Sequence, residues 1–422
     1  MNHNNDIQSK SPSYLGWFLW LLATAFFAFQ MIPRLWLGVI KDQVMSRMNV
    51  GPDIFGYICA AYYVGYAGMQ IPLAMILGRW SPRWVLSGCA FLLGLSLWMQ
   101  GAATDWPVAA LARFLTGLSS AAGFLGVSRV LEQWFPARMY GTILGLSISL
   151  GILGAVYGGL PMSGLAKNYG ADVVNDGMIF FCFGLAAMMA IVMRSPAHQT
   201  NHSTMSFGLL KQLFHSPTIW ILGIINLLLV GPLEGFADAW AEPFLSKGFD
   251  ILPDHALGLS SLVFIGLISG SPIVPFLGQR FGHRAAILWC ALGIVGTFAL
   301  LFYMSLGQYI SASPHWFIGG LLFFIGMCCS YQTNLLTMGR ESVSPQLGGV
   351  AVALLNAWNM SGGTIFHTII GFVLKNRPMA TSSSMASVNN VIALSCIPLA
   401  ALVGVVLLMT MVRPRRSDEK RI

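Results

Sequence analysis

The stretch GRWSPR at 78–83 follows one long apolar run, and the stretch QRFGHR at 279–284 follows another. The two arginines of the first stretch, Arg79 and Arg83, recur in the second at a constant separation of 201 residues. Any loop on the inner side of a membrane collects arginines. The shared order of arginine, aromatic residue, small residue and arginine nevertheless favours an internal duplication. Two halves in parallel repeat are typical of transporters whose substrate site lies between the halves.

Apolar segments account for most of the chain. Of its 422 residues, 56% are hydrophobic and 9% are charged, whereas soluble domains carry about 25% charged residues. An α-helix needs about 20 apolar residues to cross the hydrocarbon layer. The sequence therefore predicts an all-α membrane protein with twelve transmembrane helices, six in each pseudo-symmetric half. The twelve runs are 15–39, 54–77, 84–103, 106–131, 139–165, 177–194, 218–244, 256–277, 285–306, 314–339, 348–374 and 388–412.

Polar segments between the runs predict the domain organisation. The longest interruption separates six runs from six. We therefore expect an N-terminal half at 1–194, a cytoplasmic linker at 195–217 and a C-terminal half with a basic cytoplasmic tail at 218–422. If both termini face the cytoplasm, fourteen Lys and Arg residues face inward and six face outward. This asymmetry predicts that orientation, in a multi-pass protein of the cell inner membrane or plasma membrane.

Composition also excludes several classes of function. The net charge of +8 is scattered between apolar runs, so it indicates anionic lipid headgroups rather than nucleic acid as the partner. All seven cysteines lie inside apolar runs without a CxxC pair, so we expect buried thiols rather than disulfides or a metal site. The HxxxH spacing of His198 and His202 lies in the polar interruption between the apolar runs, where a solvated loop is expected, and no GxSxG or phosphate-binding Gly-Lys loop is present. We expect neither an enzyme nor a cofactor.

Several motifs resemble the major facilitator superfamily. YYVGY at 62–66 leads into QIP at 70–72, RFLTG at 113–117 opens the fourth run, and WFP at 134–136 precedes the fifth. The chain is similar to the organic-solute and anion-type branches of that superfamily, over all twelve runs. The resemblance implies a two-lobed fold that works by alternating access.

The loop at 78–83 departs from the signature Gly-x-x-x-Asp-x-x-Gly-x-Arg of that superfamily. Gly78 stands in place of the usual aspartate, and Gln279 stands there in the second half. The aspartate that usually pairs across the cytoplasmic gate of these proteins is therefore missing in both halves. Arg129 and Glu132 are three residues apart and are expected to pair across one helical turn. The residues assigned to the cytoplasmic gate are Arg79, Arg83, Arg129, Glu132, Arg280 and Arg284.

Two acids lie deep in the seventh run. Glu234 and Asp238 are four residues apart, so they share one side of a helix. A charge at this depth is costly and is usually functional. Gly231 and Pro232 precede the pair, and irregular backbone at membrane depth is tolerated where it lines a cavity. We expect these carboxylates to face a central cavity and to exchange protons. A fixed ion pair is the alternative.

Two arginines lie in runs of the first half. Arg34 comes late in run one, where snorkelling to the outer interface is an alternative to a role in the site. Arg113 lies deeper, in run four. By resemblance to the superfamily, an arginine at this place contacts the substrate or organises proton transfer. We therefore expect Arg34 and Arg113 to form the basic side of the substrate site.

Uncharged polar residues complete the expected site. Asn356 and Asn359 in run eleven are three residues apart and share a face. Asn334 in run ten could also bind solute, and Tyr62 and Tyr66 in run two would form an aromatic wall. Amides also hold membrane helices together, so helix packing is the alternative role for each.

Together these features predict a secondary transporter for a small polar organic solute. A basic first half and an acidic second half favour an amino acid or a short peptide, and an organic anion held by the two arginines is the close competitor. We expect proton-coupled transport by a monomer, with an uncoupled facilitator as the alternative. A channel or a membrane sensor is more remote.

Overall fold

The computed structural model describes residues 13–194, 213–307, 315–344, 347–378 and 382–412. These residues form helices and no strands. The N-terminal half contains span 1 (Tyr14–Val39), span 2 (Pro52–Arg79), span 3 (Pro82–Ala102), span 4 (Trp106–Ser120 and Ala122–Trp134), span 5 (Ala137–Gly158 and Leu160–Tyr169) and span 6 (Ala171–Val192). A short helix, Lys41–Met48, joins spans 1 and 2.

The C-terminal half repeats this arrangement. It contains span 7 (Pro217–Leu229, Gly231–Trp240 and Ala241–Phe249), span 8 (Pro253–Phe281), span 9 (His283–Leu306), span 10 (His315–Cys329 and Tyr331–Glu341), span 11 (Gly348–Lys375) and span 12 (Ser383–Leu394 and Cys396–Met411). The predicted fold of twelve helices is confirmed. Most of the predicted linker 195–217 lies outside the described residues, which resume at residue 213.

The lengths and apolar character of the helices suit a bilayer. Within the described ranges, ten helices are long and apolar enough to cross a membrane, and an eleventh is added when the two pieces of span 5 are joined across a 41° bend. Span 11 has the required length but is more polar, because it carries Asn356, Asn359 and several glycines. The polar residues of span 11 point to a role other than contact with lipid.

Proline and capping residues set several helix ends. Spans 2, 3 and 8 each begin with a proline, which needs no hydrogen-bond acceptor at the first helical position. Ser81 accepts a hydrogen bond from the backbone N–H of Arg83, and Asp105 accepts one from that of Val108. Span 7 changes character at Gly231–Trp240, which is a π-helix. Pro232 lies at its start and lacks an N–H. The wider π turn is frequent at functional sites.

The halves meet along spans 2 and 11, spans 1 and 7, and spans 5 and 8. We call the ends of the spans outer or inner according to the predicted orientation. Near the outer end, backbones approach closely at two glycines. A Cβ atom added to Gly56 would lie 2.5 Å from the carbonyl oxygen of His367, and one on Gly38 would lie 2.6 Å from that of Asp238. The outer side is therefore closed between the halves.

Candidate functional site

The centre of the interface contains a buried ion-pair network. The Arg34 guanidinium donates from Nε to Asp238 Oδ2 at 2.9 Å and from Nη2 to Asp238 Oδ1 at 3.1 Å. It also donates from Nη2 to Glu234 Oε2. Tyr63 Oη donates to Asp238 Oδ2. Arg34 and Asp238 are each 7% exposed and Glu234 is 2% exposed. One arginine of the first half thus holds two acids of the second.

Local backbone structure places these groups together. Arg34 follows Pro33 within span 1, and both acids lie on the π-helix of span 7. The π turn keeps residues four apart on one side of the helix, so one guanidinium contacts both carboxylates. A buried pair of this kind is strongly destabilised when one partner is removed, by about 3–5 kcal/mol, because the remaining charge is left unpaired. The network therefore links the halves in the closed state.

Arg113 holds the backbone of span 1 rather than an acid. Its Nη1 donates to the carbonyl oxygen of Pro33 at 2.6 Å, and its Nη2 donates to that of Arg34. Its guanidinium lies 5.0 Å from the centre of the Tyr62 ring, within cation–π range. Arg113 is 3% exposed. In this state Arg113 fixes the position of Arg34 and adds a second positive charge to the site.

Hydrogen-bonding side chains lie on the inner side of Arg34. Tyr62 Oη donates to Gln30 Oε1 at 3.2 Å, and Tyr66 forms a side-chain hydrogen bond with Asn356. Asn359 is buried on the same span as Asn356. Gly363 lies one turn after Asn359 and packs against the Tyr63 ring. Among the residues that the structure describes, both amide atoms of Asn359 and Nε2 of Gln30 are buried without a hydrogen-bond partner. Such orphaned groups destabilise a fold unless water or a ligand satisfies them.

Asn334 lies in another environment. Its Oδ1 is 2.7 Å from Nδ1 of His283, and its Nδ2 donates to the carbonyl oxygen of Val274 at 3.0 Å. These contacts hold span 10 against span 8 and the start of span 9. The structure therefore brings Asn356, Asn359, Tyr62 and Tyr66 into one interface but places Asn334 inside the C-terminal half.

The contacts given by the structure for the residues assigned to the cytoplasmic gate lie within one half of the molecule. Arg129 Nη1 donates to Glu132 Oε2 at 3.1 Å across one helical turn. Arg83 lies over the Trp84 ring at 4.7 Å and Arg280 over the Phe281 ring at 5.6 Å. Arg284 donates to the carbonyl oxygen of Met409 at 2.8 Å, and Arg79 is exposed.

Two ion pairs join the halves at the outer end, and we call them the outer latch. Lys375 Nζ lies 2.7 Å from Asp53 Oδ2, and Lys167 Nζ pairs with Asp254 Oδ1. Asp53 and Asp254 are 201 residues apart, and each follows the proline that begins span 2 or span 8. The lysines lie in the last turns of span 11 and of the second helix of span 5. The acids of the latch therefore follow the same 201-residue repeat as the arginine loops, and the lysines lie near the ends of the corresponding spans.

An aromatic layer lies between the latch and Arg34. Trp240 Nε1 donates to His367 Nδ1 at 2.9 Å. Lys41 Nζ lies 4.7 Å from the centre of the Trp240 ring and 5.8 Å from that of Phe55. Burial, together with the nearby Lys247 charge, lowers the pKa of Lys41 to about 8. Residues of both halves thus close the outer side above the ion-pair network.

Sequence reasoning missed part of this arrangement. Gln30 was not assigned to the site, and the latch residues resemble ordinary loop charges when read alone. The recurrence of Pro-Asp at 52–53 and 253–254 is the signal that indicates a repeated outer contact. Among the described residues, no group of three or more His, Cys, Asp or Glu side chains is placed to hold a metal ion.

Comparisons with known proteins find relatives among bacterial transporters. The chain is 23% identical over 382 residues to the uncharacterized transporter YybO of Bacillus subtilis (strain 168), covering 83% of this chain and 80% of that protein. It is 22% identical over 401 residues to the probable galactarate/D-glucarate transporter GudP of Escherichia coli (strain K12), covering 84% and 86%.

The fold is also that of solved transporters. A crystal structure of the nucleoside transporter NupG superposes with a TM-score of 0.69 at 16% sequence identity, covering 96% of this chain and all of that one. The sequence profile of the Major Facilitator Superfamily matches residues 17–367. This chain belongs to the major facilitator superfamily of membrane transporters.

Proposed function

We propose that this chain is a proton-coupled secondary transporter for small organic anions, and that Arg34 binds a carboxylate of the solute. The observation that carries the proposal is the position of Arg34 between the halves. There its charge is neutralised by two acids, and protonation of those acids would release Arg34 from them. The probable galactarate/D-glucarate transporter GudP is similar along most of its length. The relatives thus favour the organic anion over the amino acid or short peptide.

Charge balance gives the coupling a physical reason. Arg34 and Arg113 carry two positive charges, and ionised Glu234 and Asp238 carry two negative charges. An anion entering this neutral, buried site would add uncompensated charge, which is unfavourable in a low dielectric. Protonation of the acids releases Arg34 and leaves a net positive site. Anion and proton therefore bind together, and an uncoupled facilitator is the alternative.

The polar groups on the inner side of Arg34 suit hydroxyl groups on that anion. Within the described ranges, the acceptor oxygen and both N–H donors of the Asn359 amide are unpaired, and so are the N–H donors of the Gln30 amide. A hydroxylated acid offers both donors and acceptors next to its carboxylate, so it satisfies groups that an alkyl chain would leave unpaired. Hydroxylated mono- and dicarboxylates are thus the favoured solutes.

We propose that the protein works as a monomer in the cell inner membrane, with both termini in the cytoplasm. Alternating access would exchange the observed closed outer side for an open one. Separation of the latch and of the aromatic layer would then make the two acids accessible to protons from the outer side.

The direct test is uptake by reconstituted vesicles with an imposed pH gradient. We expect saturable uptake of labelled glucarate or galactarate that is driven by an acidic exterior and abolished by a protonophore. Unlabelled hydroxylated acids should compete, whereas amino acids and dipeptides should not. Uptake that is independent of the pH gradient and of the protonophore would reject proton coupling and would indicate facilitated diffusion instead. Competition by amino acids alone would reject the anion assignment.

A further inference from the structure

A cavity lies at the outer end of the N-terminal half. Its volume is about 270 Å³, and its lining comes from the outer parts of spans 1, 3, 4 and 6 and from the short helix Lys41–Met48. All of its lining residues belong to one half, whereas Arg34 faces the other half. This cavity is therefore separate from the site between the halves.

Opposite charges line this outer cavity. Arg47 comes from the short helix and Asp172 from the start of span 6, and both side chains are exposed. In the part of the chain that the structure describes, neither forms an ion pair with another side chain. A cation and an anion that share a cavity without pairing are complementary to a ligand that carries both charges.

A buried amide in the cavity lining also lacks a partner. Gln100 lines the cavity and is 7% exposed, and its Oε1 has no hydrogen-bond partner in the part of the chain that the structure describes. A carbonyl oxygen accepts hydrogen bonds only, so the missing group is a donor. An unsatisfied buried group of this kind costs about 1–3 kcal/mol. The neighbouring Asn175 is already engaged, since its Nδ2 donates to the carbonyl oxygen of Leu97 at 3.2 Å.

Size and position restrict the ligand further. Ligand cavities usually measure about 300–1,000 Å³, so this smaller cavity suits a compact ligand. Trp36 and aliphatic side chains form its apolar wall. Trp98 and Trp106 are exposed near the outer ends of spans 3 and 4, and tryptophan marks the level of lipid headgroups. The cavity thus lies at the depth of the outer headgroups.

We propose that this outer cavity binds a compact zwitterion, with its anionic group on Arg47 and its ammonium group facing Asp172 and Gln100 Oε1. Phosphoethanolamine has this chemistry, either as a phospholipid headgroup or as a free molecule. A quaternary ammonium group would not satisfy Gln100, because it has no N–H to donate. The proposal does not depend on what the site between the halves transports.

Ligand-dependent stabilisation of purified, delipidated protein tests the proposal. Free phosphoethanolamine, dihexanoyl-phosphatidylethanolamine and the matching choline compounds would be titrated while the thermal unfolding midpoint is measured. We expect saturable stabilisation by an ethanolamine compound, at least about tenfold weaker binding of its choline counterpart, and similar weakening in Arg47→Gln and Asp172→Asn.

Matched controls separate this site from general surface charge. Arg377→Gln and Asp250→Asn remove exposed charges on the same side, outside the cavity, and should bind like the wild type. Stabilisation by the lipid alone identifies a headgroup site, and stabilisation by free phosphoethanolamine as well identifies a site for a soluble zwitterion. No stabilisation, or equal stabilisation in the Arg47 and Asp172 variants, overturns the proposal.

Discussion

Replacing Arg34 with glutamine is expected to reduce anion uptake at least about a hundredfold, while the protein still reaches the membrane. The variant removes the cation that we assign to the solute carboxylate. It also leaves Glu234 and Asp238 buried without their partner. Loss of one partner of a buried charge pair between a protein and its ligand costs about 2–5 kcal/mol in binding, and about 1.4 kcal/mol corresponds to a tenfold change. Initial uptake rates per folded molecule, counted after reconstitution, measure the effect.

Two companion variants separate transport from folding. The triple variant Arg34→Gln with Glu234→Gln and Asp238→Asn removes the cation and both of its acids, so it should regain thermal stability without regaining uptake. Arg377→Gln removes an exposed arginine outside the site and should transport normally. Substantial uptake by Arg34→Gln would show that the solute does not depend on this cation.

Charge reversal in the outer latch is expected to expose the outer side of the site. Asp53→Lys would face Lys375, and Lys375→Asp would face Asp53, so either single change replaces attraction with repulsion. Exposed pairs are individually weak, about 0–1 kcal/mol, but Asp53 is buried at 8% side-chain exposure. We expect about a tenfold rise in outer opening, which corresponds to about 1.4 kcal/mol.

A native thiol can report this opening. Cys59 is buried on span 2, between Phe55 and Tyr63. With the other cysteines replaced, its labelling by a membrane-impermeant maleimide should accelerate in either single reversal. The double reversal restores an ion pair and should return the rate to that of the wild type. Equal labelling in all four proteins would show that the latch does not hold the outer side closed.

The second pair of the latch is the internal control. Lys167→Asp and Asp254→Lys should also accelerate labelling of Cys59, because the pair occupies the corresponding place in the repeat. Its side chains are 57% and 44% exposed, so the effect should be smaller than that of the Asp53 pair. A larger effect would show that burial does not set the strength of these contacts.

The sequence specified the fold well because its signals are local. Each apolar run is long enough to require a helix, and the repeated arginine loops indicate two halves. The break at Gly231 and Pro232 was also readable, because proline lacks the donor that a regular helix needs. Its form as a π-helix depends on packing against the neighbouring spans, which a single segment does not encode.

The residues of the candidate site could be proposed from the sequence, but their contacts could not. Depth in an apolar run singled out Arg34, Glu234 and Asp238, since charges there require a reason. Their pairing joins residues 200 and 204 positions apart, and no local pattern fixes that distance. Arg113 shows the limit clearly, because its partners are backbone carbonyl groups that carry no sequence signal.

The latch and the unpaired amides were harder to predict from the sequence, for different reasons. Asp53 and Lys375 lie at helix ends, where charges are ordinary and only the closed arrangement brings them together. Asn334 and Asn359 are the same residue type in neighbouring runs. One satisfies contacts within its own half, and the other is left unpaired at the interface. Three-dimensional packing alone distinguishes them.

Proton uptake during solute binding tests the central claim most directly. Purified protein in weakly buffered solution near neutral pH would receive saturating glucarate while the change in pH is recorded. If the solute displaces Glu234 and Asp238 from Arg34, the displaced acids take up about one to two protons per bound anion. The variant Glu234→Gln with Asp238→Asn should bind the anion without that uptake. Binding by the wild type with no change in bound protons would contradict the account.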